Sequence, residues 1–375
     1  MMIFNNKESM TLTDHIILNG KIISSQKVSA LTSEIIDNPS VSEWEKELYL
    51  FLNEWLSDSD FVLAQTSGST GEPKPIELPK SVMIKSAERT IEYFKLQKGD
   101  RLLLSLPCQF IAGKMMVVRA IVGQMNLVTV EPSGDFEILM NETFEFGAMV
   151  PNQVFKILES HSGKKKLENI HHLLIGGSSI PATLETQISR LKSRVVSTYG
   201  MTETASHIAI RELSGENRSD IYNCLPGIFV TSNENECLQI HVPEILPTGE
   251  AGNEPLQTND IAEILSPTTF RILGRADDAI ISGGIKYFPE TIEKKLETAI
   301  SGRFVVSSLP DEKLGERLAL VLEGKQTDTE PINQILKKLL TPFERPKAIL
   351  FLEKFLETST GKIKRNEIKG LIRGI

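Results

Sequence analysis

The chain has few cysteines, no long apolar segment and no excess of positive charge, and each shortage excludes a class of protein. Its three cysteines, Cys108, Cys224 and Cys237, are scattered and lack the paired spacing of a metal site. We expect them to be buried thiols in a reducing compartment. No stretch reaches the ~20 apolar residues that span a bilayer, and residues 1–7 lack a basic segment followed by an apolar core. A cytoplasmic protein without a membrane partner is expected.

The balance of charge disfavours nucleic acid as a partner. The formal net charge is −8 and the isoelectric point is about 5.5, whereas proteins that bind a phosphate backbone need a basic surface. Small anions, gripped by local positive charge, are the expected partners. At 375 residues the chain is long enough for two or three domains of ordinary size.

One segment combines glycines, hydroxyls and a lysine in the way that phosphate binding requires. Glycine permits close approach of the backbone, N–H groups and hydroxyls donate to phosphate oxygens, and lysine adds a point charge. A solvated linker is disfavoured, because a predicted strand at 60–64 precedes the segment and a predicted helix at 79–93 follows it. The nucleotide triphosphatase loop is excluded because Lys74 is followed by Pro75. The segment is Thr66-Ser67-Gly68-Ser69-Thr70-Gly71-Glu72-Pro73-Lys74.

Three later segments, in order, turn this indication into a resemblance. They are Ser197-Thr198-Tyr199-Gly200-Met201-Thr202-Glu203-Thr204, Gly274-Arg275-Ala276-Asp277-Asp278-Ala279-Ile280-Ile281-Ser282-Gly283-Gly284-Ile285-Lys286, and Thr358-Ser359-Thr360-Gly361-Lys362-Ile363-Lys364-Arg365. With the phosphate loop they resemble the acyl-adenylate-forming superfamily of acyl- and aryl-CoA synthetases, luciferases and adenylation domains. The resemblance covers nearly the whole chain, apart from a front that is shorter than is usual in the family.

The resemblance implies a role for particular residues of the nucleotide site. Thr202 would donate to the α-phosphate, and Glu203 would bind the Mg²⁺ that bridges ATP phosphates. Tyr199, beside Gly200, would stack on the purine. Gly176 and Gly177 would line the adenine and acyl pocket, and Asp260 and Arg275 would hold the ribose.

Further roles fall in the last hundred residues. The resemblance makes Lys362 the cation that stabilises charge on the phosphoryl oxygens during adenylation. It places a hinge at Asp277 and a coenzyme A loop at Ser282, Gly283, Gly284 and Lys286.

Apolar runs that alternate with helical stretches from 102 to 197 predict an α/β fold with a mostly parallel sheet. The sequence predicts a large N-terminal domain over residues 1–276, within which residues 225–276 form a small antiparallel β subdomain. A small, mobile α+β C-terminal domain is predicted over residues 277–375. The predicted helix at 42–55 should face the core through Trp44, Leu48, Phe51, Leu52 and Trp55.

The predicted acyl pocket lies near Phe110, which stands where the family commonly has histidine. The helix after it carries Lys114 and Arg119 on an otherwise apolar surface. Because the two lie five residues apart, on different faces, only one is expected to point inward. The alternative is that both extend to solvent.

The resemblance implies an AMP-forming acid–thiol ligase that uses ATP, Mg²⁺ and coenzyme A, with a carboxylic acid as substrate. Within the superfamily the short front and residues 110–119 look most like the o-succinylbenzoate–CoA ligases of menaquinone biosynthesis. Another aryl- or acyl-CoA ligase, or an adenylation enzyme that loads a carrier protein, is the alternative with the same chemistry. A non-catalytic nucleotide-binding relative is the alternative of a different class. The chain could form a homo-oligomer.

Overall fold

The computed structural model describes residues 15–65, 75–134, 136–243, 254–357 and 363–374. The chain forms two compact units. One comprises residues 1–179, 187–228 and 242–253, and the other comprises residues 180–186, 229–241 and 254–375.

The elements as far as Cys224 follow the alternation of strand and helix that the sequence predicts. In chain order they are β1 (His15–Leu18), β2 (Lys21–Ser24), α1 (Ser25–Ile36), α2 (Glu43–Trp55), β3 (Phe61–Gln65), β4 (Pro75–Pro79), α3 (Lys80–Phe94), β5 (Arg101–Leu104), α4 (Ile111–Val122), β6 (Asn126–Thr129), β7 (Phe144–Met149), α5 (Pro151–Glu159), α6 (Gly163–Glu168), β8 (Ile170–Ile175), α7 (Ala182–Ile188), β9 (Arg194–Gly200), β10 (His207–Glu212) and β11 (Tyr222–Cys224). Short 3₁₀ turns occur at Glu137–Met140 and Thr202–Thr204.

The first unit is built on a sheet with the strand order β2-β1-β6-β5-β7-β8-β9-β10-β11. The neighbours from β1 to β9 pair in parallel, whereas β2 pairs antiparallel with β1, and β10 pairs antiparallel with β9 and β11. The central strands are mostly buried apolar runs, as expected of a parallel sheet that helices cover on both faces. The predicted α/β fold with a mostly parallel sheet is confirmed.

Two helices of this unit meet the core in different ways. Helix α2 is amphipathic and buries Leu48, Phe51, Leu52 and Trp55, as its spacing predicts, whereas Trp44 in its first turn is only partly buried. Helix α4 is buried along nearly all of its length from 113 to 121. Because the helix is covered on every side, the side chains of Lys114 and Arg119 do not reach solvent. Both must contact other groups of the protein.

A two-stranded hairpin frames the predicted phosphate loop. Strands β3 and β4 are antiparallel, and Gln65 pairs with Pro75 at the end of the ladder. Strand β3 and helix α3 confirm the elements predicted on either side, whereas β4 was not predicted. Residues 66–74, with all of the predicted phosphate-binding positions, lie outside the described residues.

The second unit combines an antiparallel sheet with a separate α+β layer. Its remaining elements are β12 (Phe229–Ser232), β13 (Cys237–His241), β14 (Leu256–Ser266), β15 (Thr269–Arg275), β16 (Ile280–Ser282), β17 (Ile285–Tyr287), α8 (Pro289–Leu296), β18 (Phe304–Asp311), β19 (Gly315–Glu323), α9 (Glu330–Leu339), β20 (Ala348–Leu352) and α10 (Arg365–Arg373). Strands β12 to β15 pair antiparallel in chain order, as predicted for a small antiparallel layer.

The second layer of this unit is centred on the long hairpin of β18 and β19, with β20 parallel to β19. One face packs against α8 and α9 through side chains such as Ile292 and Leu336. The other face packs against Ile368 and Ile372 of α10. A division of the chain at residue 277 stays a prediction, since the compact unit that holds these elements also contains β12 to β15.

The structure also bears on the predictions about membrane spans and cysteines. Across the described residues, no helix is long and apolar enough to cross a membrane. The three cysteines are free thiols, and Cys108 and Cys237 are buried while Cys224 is partly exposed.

Candidate active site

The motif at 197–204 contacts the base of the predicted phosphate loop. The Thr202 hydroxyl donates to the backbone carbonyl of Gln65 at 3.3 Å, and Gln65 is the last residue of β3 before the loop. Thr202 itself is buried. The Thr202 motif therefore contacts the residue that directly precedes the predicted phosphate loop.

The local backbone around Thr202 presents Glu203 outward. Residues Thr202–Thr204 form a 3₁₀ turn, and the Thr204 hydroxyl accepts a hydrogen bond from the Met201 backbone N–H at 3.0 Å. Glu203 is half-buried. Within the described part of the chain it forms no ion pair. A carboxylate with no cationic partner among the described residues has the chemistry of a Mg²⁺ ligand.

The other nucleotide residues predicted in this unit lie at the carboxyl ends of two adjacent parallel strands. Gly176 follows β8, Tyr199 lies at the end of β9, and the two strands are in register at Ile175 and Ser197. A Cβ on Gly176 would lie 2.3 Å from the Thr198 hydroxyl, so a larger residue there would require that hydroxyl to move. The carboxyl ends of parallel strands are where ligands bind in α/β sheets.

The ammonium group of Lys114 is held by neighbouring groups of the protein. Its ammonium donates to the Leu63 backbone carbonyl at 2.8 Å, lies 3.5 Å from a carboxylate oxygen of Glu54, and sits 4.7 Å from the centre of the Phe51 ring. It therefore ties α4 to β3 and α2. Phe110, the N-cap of α4, is half-buried.

Arg119 lies on another face of α4 in a different environment. It is 3% exposed, and its Nη2 lies 2.5 Å from Ser206 Oγ and 3.4 Å from His207 Nδ1. Phe146 faces the guanidinium at 5.9 Å. Among the described residues its Nε has no hydrogen-bond partner and no carboxylate pairs with the guanidinium. Burial lowers the pKa of Arg119 to about 9, so the group carries its charge at neutral pH.

The alternative that both cations extend to solvent is wrong, whereas the expectation that only one of them points into the acyl pocket stays a prediction. Lys114 and Arg119 are 8% and 3% exposed. The solvent alternative assumed that one side of α4 faces water, whereas residues 113–121 of the helix are all buried. The different faces predicted from the five-residue spacing are confirmed by their separate partners.

In the second unit the two predicted ribose residues form an ion pair. Asp260 on β14 and Arg275 on β15 are register partners, and Arg275 Nη1 lies 3.1 Å from Asp260 Oδ1. Arg275 Nη2 also lies 2.9 Å from Asp277 Oδ2. The predicted hinge residue thus contacts the predicted ribose site, in the turn that leads from β15 to β16.

The predicted coenzyme A loop is the tight turn between β16 and β17. Gly283 and Gly284 have φ angles of +59° and +81°, which side-chain-bearing residues rarely adopt. Two consecutive positive φ angles are typical of the turn that joins two short antiparallel strands. Lys286 follows on β17, with its ammonium 3.6 Å from Glu236.

Lys362 lies outside the described residues, but both flanks of its segment are fixed. Glu357 and Ile363 form an antiparallel bridge. Arg365, at the start of α10, makes two hydrogen bonds of 2.7 and 2.6 Å to the Glu293 carboxylate. The predicted catalytic segment therefore begins and ends at points attached to the second unit.

Glu290 lies beside this ion pair, in the first turn of α8. One of its carboxylate oxygens is buried and has no hydrogen-bond partner within the described ranges. Burial raises the pKa of Glu290 to about 7, against a lowering by the positive charge of Arg365. The carboxyl group is therefore held partly protonated near neutral pH.

This arrangement predicts a pH dependence of stability. The pKa of Glu290 rises from 4.5 to about 7 on folding, so its contribution is complete below pH 4.5 and is lost as the pH rises through 7. The loss should reach roughly 3 kcal/mol. In the Glu290→Gln variant, urea denaturation should show no such decline between pH 5 and pH 8. The exposed Glu353→Gln is the matched control, and an unchanged decline in Glu290→Gln would contradict the assignment.

Sequence reasoning missed Ser206 and His207. Both contact Arg119, yet neither belongs to a recognisable motif. The one available indication was their position directly after the turn Thr202–Thr204. Arg119 is 87 residues from Ser206 and 88 from His207 along the chain, so their contact depends on how the sheet folds.

Comparison with known proteins agrees with this geometry. Residues 11–253 match the AMP-binding enzyme family. An acyl-CoA synthetase (AMP-forming)/AMP-acid ligase II-like protein from Dyadobacter fermentans is 32% identical, with a TM-score of 0.58 over 92% of this chain and 97% of that chain. A 2-succinylbenzoate–CoA ligase of Lactococcus lactis is 24% identical over 82% of this chain and 70% of its own length.

The fold is also that of a more distant solved structure. The o-succinylbenzoate CoA synthetase from Bacillus subtilis, in complex with an acyl-adenylate intermediate, is 18% identical. It has a TM-score of 0.75 over 96% of each chain. The resemblance predicted from the four sequence segments is confirmed, because the family match covers well over half of the chain. This protein belongs to the AMP-binding enzyme family.

Proposed function

We propose that this protein is an ATP-dependent acid–CoA ligase whose acid is o-succinylbenzoate. The carboxylate attacks the α-phosphate of ATP to give an acyl-adenylate and pyrophosphate. The thiol of coenzyme A then attacks the acyl carbon and releases AMP. Such an enzyme would act in the cytoplasm, in menaquinone biosynthesis.

The phosphate chemistry is supported by the contact between Thr202 and Gln65. That hydrogen bond of 3.3 Å holds the Thr202 turn against the base of residues 66–74. We assign Thr66, Ser67, Gly68, Ser69, Thr70, Gly71 and Lys74 to the phosphates. Their hydroxyls, backbone N–H groups and lysine would donate to phosphate oxygens.

Glu203 is the residue that would bind Mg²⁺. It is half-buried, and within the described residues it has no cation to compensate its charge. Magnesium takes few carboxylates and completes its shell with phosphate oxygens and water. When bound, the metal would neutralise charge on the ATP phosphates.

The observation that carries the acid assignment is the buried guanidinium of Arg119. o-Succinylbenzoate has two carboxylates, and the aromatic one must stay ionised inside the protein while the other is activated. A buried carboxylate needs a cation or several donors. Arg119 supplies a cation that no described carboxylate neutralises, and Ser206 at its tip is only half-buried. Lys114 is the weaker candidate because Leu63 and Glu54 already hold it.

The remaining roles extend the proposal to both units. Gly176, Gly177, Tyr199 and Gly200 would contact the base. Asp260 and Arg275 would hold the ribose, with Asp277 as the hinge. Ser282, Gly283, Gly284 and Lys286 would contact coenzyme A, and Phe110 would border the acid.

Pyrophosphate release with a panel of acids tests this function. We expect release that requires ATP, Mg²⁺ and o-succinylbenzoate, followed by formation of the CoA thioester, detected by mass spectrometry. β-Benzoylpropionate, which has the same skeleton without the aromatic carboxylate, is the matched control acid and should be used poorly. Acid-independent binding of ATP without release would instead support a non-catalytic relative.

The acceptor is tested in the same assay. Acid-dependent pyrophosphate release without transfer to coenzyme A would favour an adenylation enzyme that loads a carrier protein. Preference for another acid, with transfer to coenzyme A, would leave the ligase assignment and remove the substrate assignment.

A further inference from the structure

His207 is buried beside the proposed acid-binding cation. It begins β10 and pairs with Gly200 of β9, directly after the Thr202 motif. Its side chain is 8% exposed. Its Nδ1 lies 3.1 Å from Ser206 Oγ and 3.4 Å from Arg119 Nη2, and in the part of the chain that the structure describes its Nε2 has no hydrogen-bond partner.

The contacts decide the state of the imidazole. A guanidinium can only donate, so the nitrogen that faces Arg119 must be an acceptor and the proton of a neutral ring must lie on Nε2. Burial, followed by the positive charges of Arg119 and Arg89, holds the pKa of His207 well below its ordinary value. The ring is therefore neutral, with its lone pair on Nδ1.

An uncharged acceptor at this place has a particular consequence for Arg119. Buried arginines usually pair with carboxylates, which hold the guanidinium and also neutralise it. Here Ser206 and His207 hold one edge of the guanidinium without adding negative charge. The positive charge thus remains available to a carboxylate that approaches from elsewhere.

We propose that His207 is a positioning residue that sets the preference for a diacid. It orients Arg119 through Nδ1, directly and by way of Ser206, while leaving the guanidinium charge uncompensated. The inference rests on the proposed function, because it assumes that Arg119 meets the second carboxylate of the acid. It adds a residue that acts through Arg119 rather than on the reacting atoms.

The test is the ratio of kcat/KM for o-succinylbenzoate to kcat/KM for β-benzoylpropionate, measured on the full chain. His207→Leu has a similar volume but no acceptor, and it should lower the ratio by about tenfold or more, the range for a hydrogen bond to a charged group. The change should fall on the KM for o-succinylbenzoate, with the KM for ATP nearly unchanged. A general loss of structure would lower both kcat/KM values together and leave the ratio intact.

Two further variants distinguish the effect of a hydrogen-bond acceptor beside Arg119 from the effect of a negative charge there. His207→Asn keeps an acceptor near the place of Nδ1 and should retain most of the ratio. His207→Glu keeps an acceptor but adds a negative charge, and it should lower the ratio by about tenfold or more. It also serves as the decisive variant if His207→Leu does not fold. Should His207→Leu or His207→Glu keep the ratio of the unaltered enzyme, the inference is wrong.

The design distinguishes failure of the inference from failure of the proposed function. If Arg119→Met abolishes the diacid preference and the His207 variants do not change it, only the role of His207 falls. If the unaltered enzyme shows no diacid preference, the acid assignment falls and the inference falls with it. A preference that His207→Leu weakens and His207→Asn preserves supports both.

Discussion

Lys362→Ala is expected to lower the rate of acyl-adenylate formation by about 10²–10³-fold, the scale of losing one preorganised electrostatic group. Charge builds on the phosphoryl oxygens as the carboxylate attacks. A fixed cation there lowers the barrier because it stabilises the transition state more than the ground state. Formation of thioester from supplied acyl-adenylate and coenzyme A should largely survive. Pyrophosphate release measures the first half-reaction, and thioester production from synthetic acyl-adenylate measures the second.

A neighbouring lysine provides the control for this experiment. Lys364 is exposed and forms an ion pair of 2.8 Å with Glu367 on α10. Exposed pairs of this kind contribute little, so Lys364→Ala should change neither half-reaction appreciably. Equal loss of both half-reactions in Lys362→Ala would mean that the lysine has another role or that the substitution disturbs the fold.

Arg119→Met should reduce kcat/KM for o-succinylbenzoate by about 10²-fold or more, because a buried carboxylate would lose its charged partner. The effect should fall on the KM for the acid, while the KM for ATP stays nearly constant. Use of β-benzoylpropionate, which has no second carboxylate, should be preserved or improved, since an unpaired buried cation is removed. Steady-state kinetics with the two acids measure both effects.

The second buried cation of α4 is the matched control. Lys114→Met removes the contacts with Leu63 and Glu54 and should lower thermal stability. It should not change the relative use of the two acids. If Arg119→Met keeps normal use of o-succinylbenzoate while Lys114→Met loses it, the roles of the two cations are reversed. If both keep it, the substrate assignment fails and the ligase assignment stands.

Local patterns in the sequence determined much of the architecture. The alternation of buried strands and amphipathic helices predicted the parallel sheet, and the spacing of Leu48, Phe51, Leu52 and Trp55 predicted the buried face of α2. These predictions succeeded because periodicity records which face of an element is buried. The four motifs identified the family because each keeps its residue types at a fixed local spacing.

Only the tertiary structure decided the surroundings of the two cations on α4. Five-residue spacing places Lys114 and Arg119 on different faces, but it does not say whether a face meets water or protein. Their partners come from α2, β3 and the start of β10, brought to α4 by packing over separations of 51 to 88 residues. The same holds for His207, whose neutral acceptor role exists only because burial and two nearby positive charges lower its pKa. Burial is a property of the whole fold, and for this reason the sequence alone could propose Arg119 but could not distinguish it from Lys114.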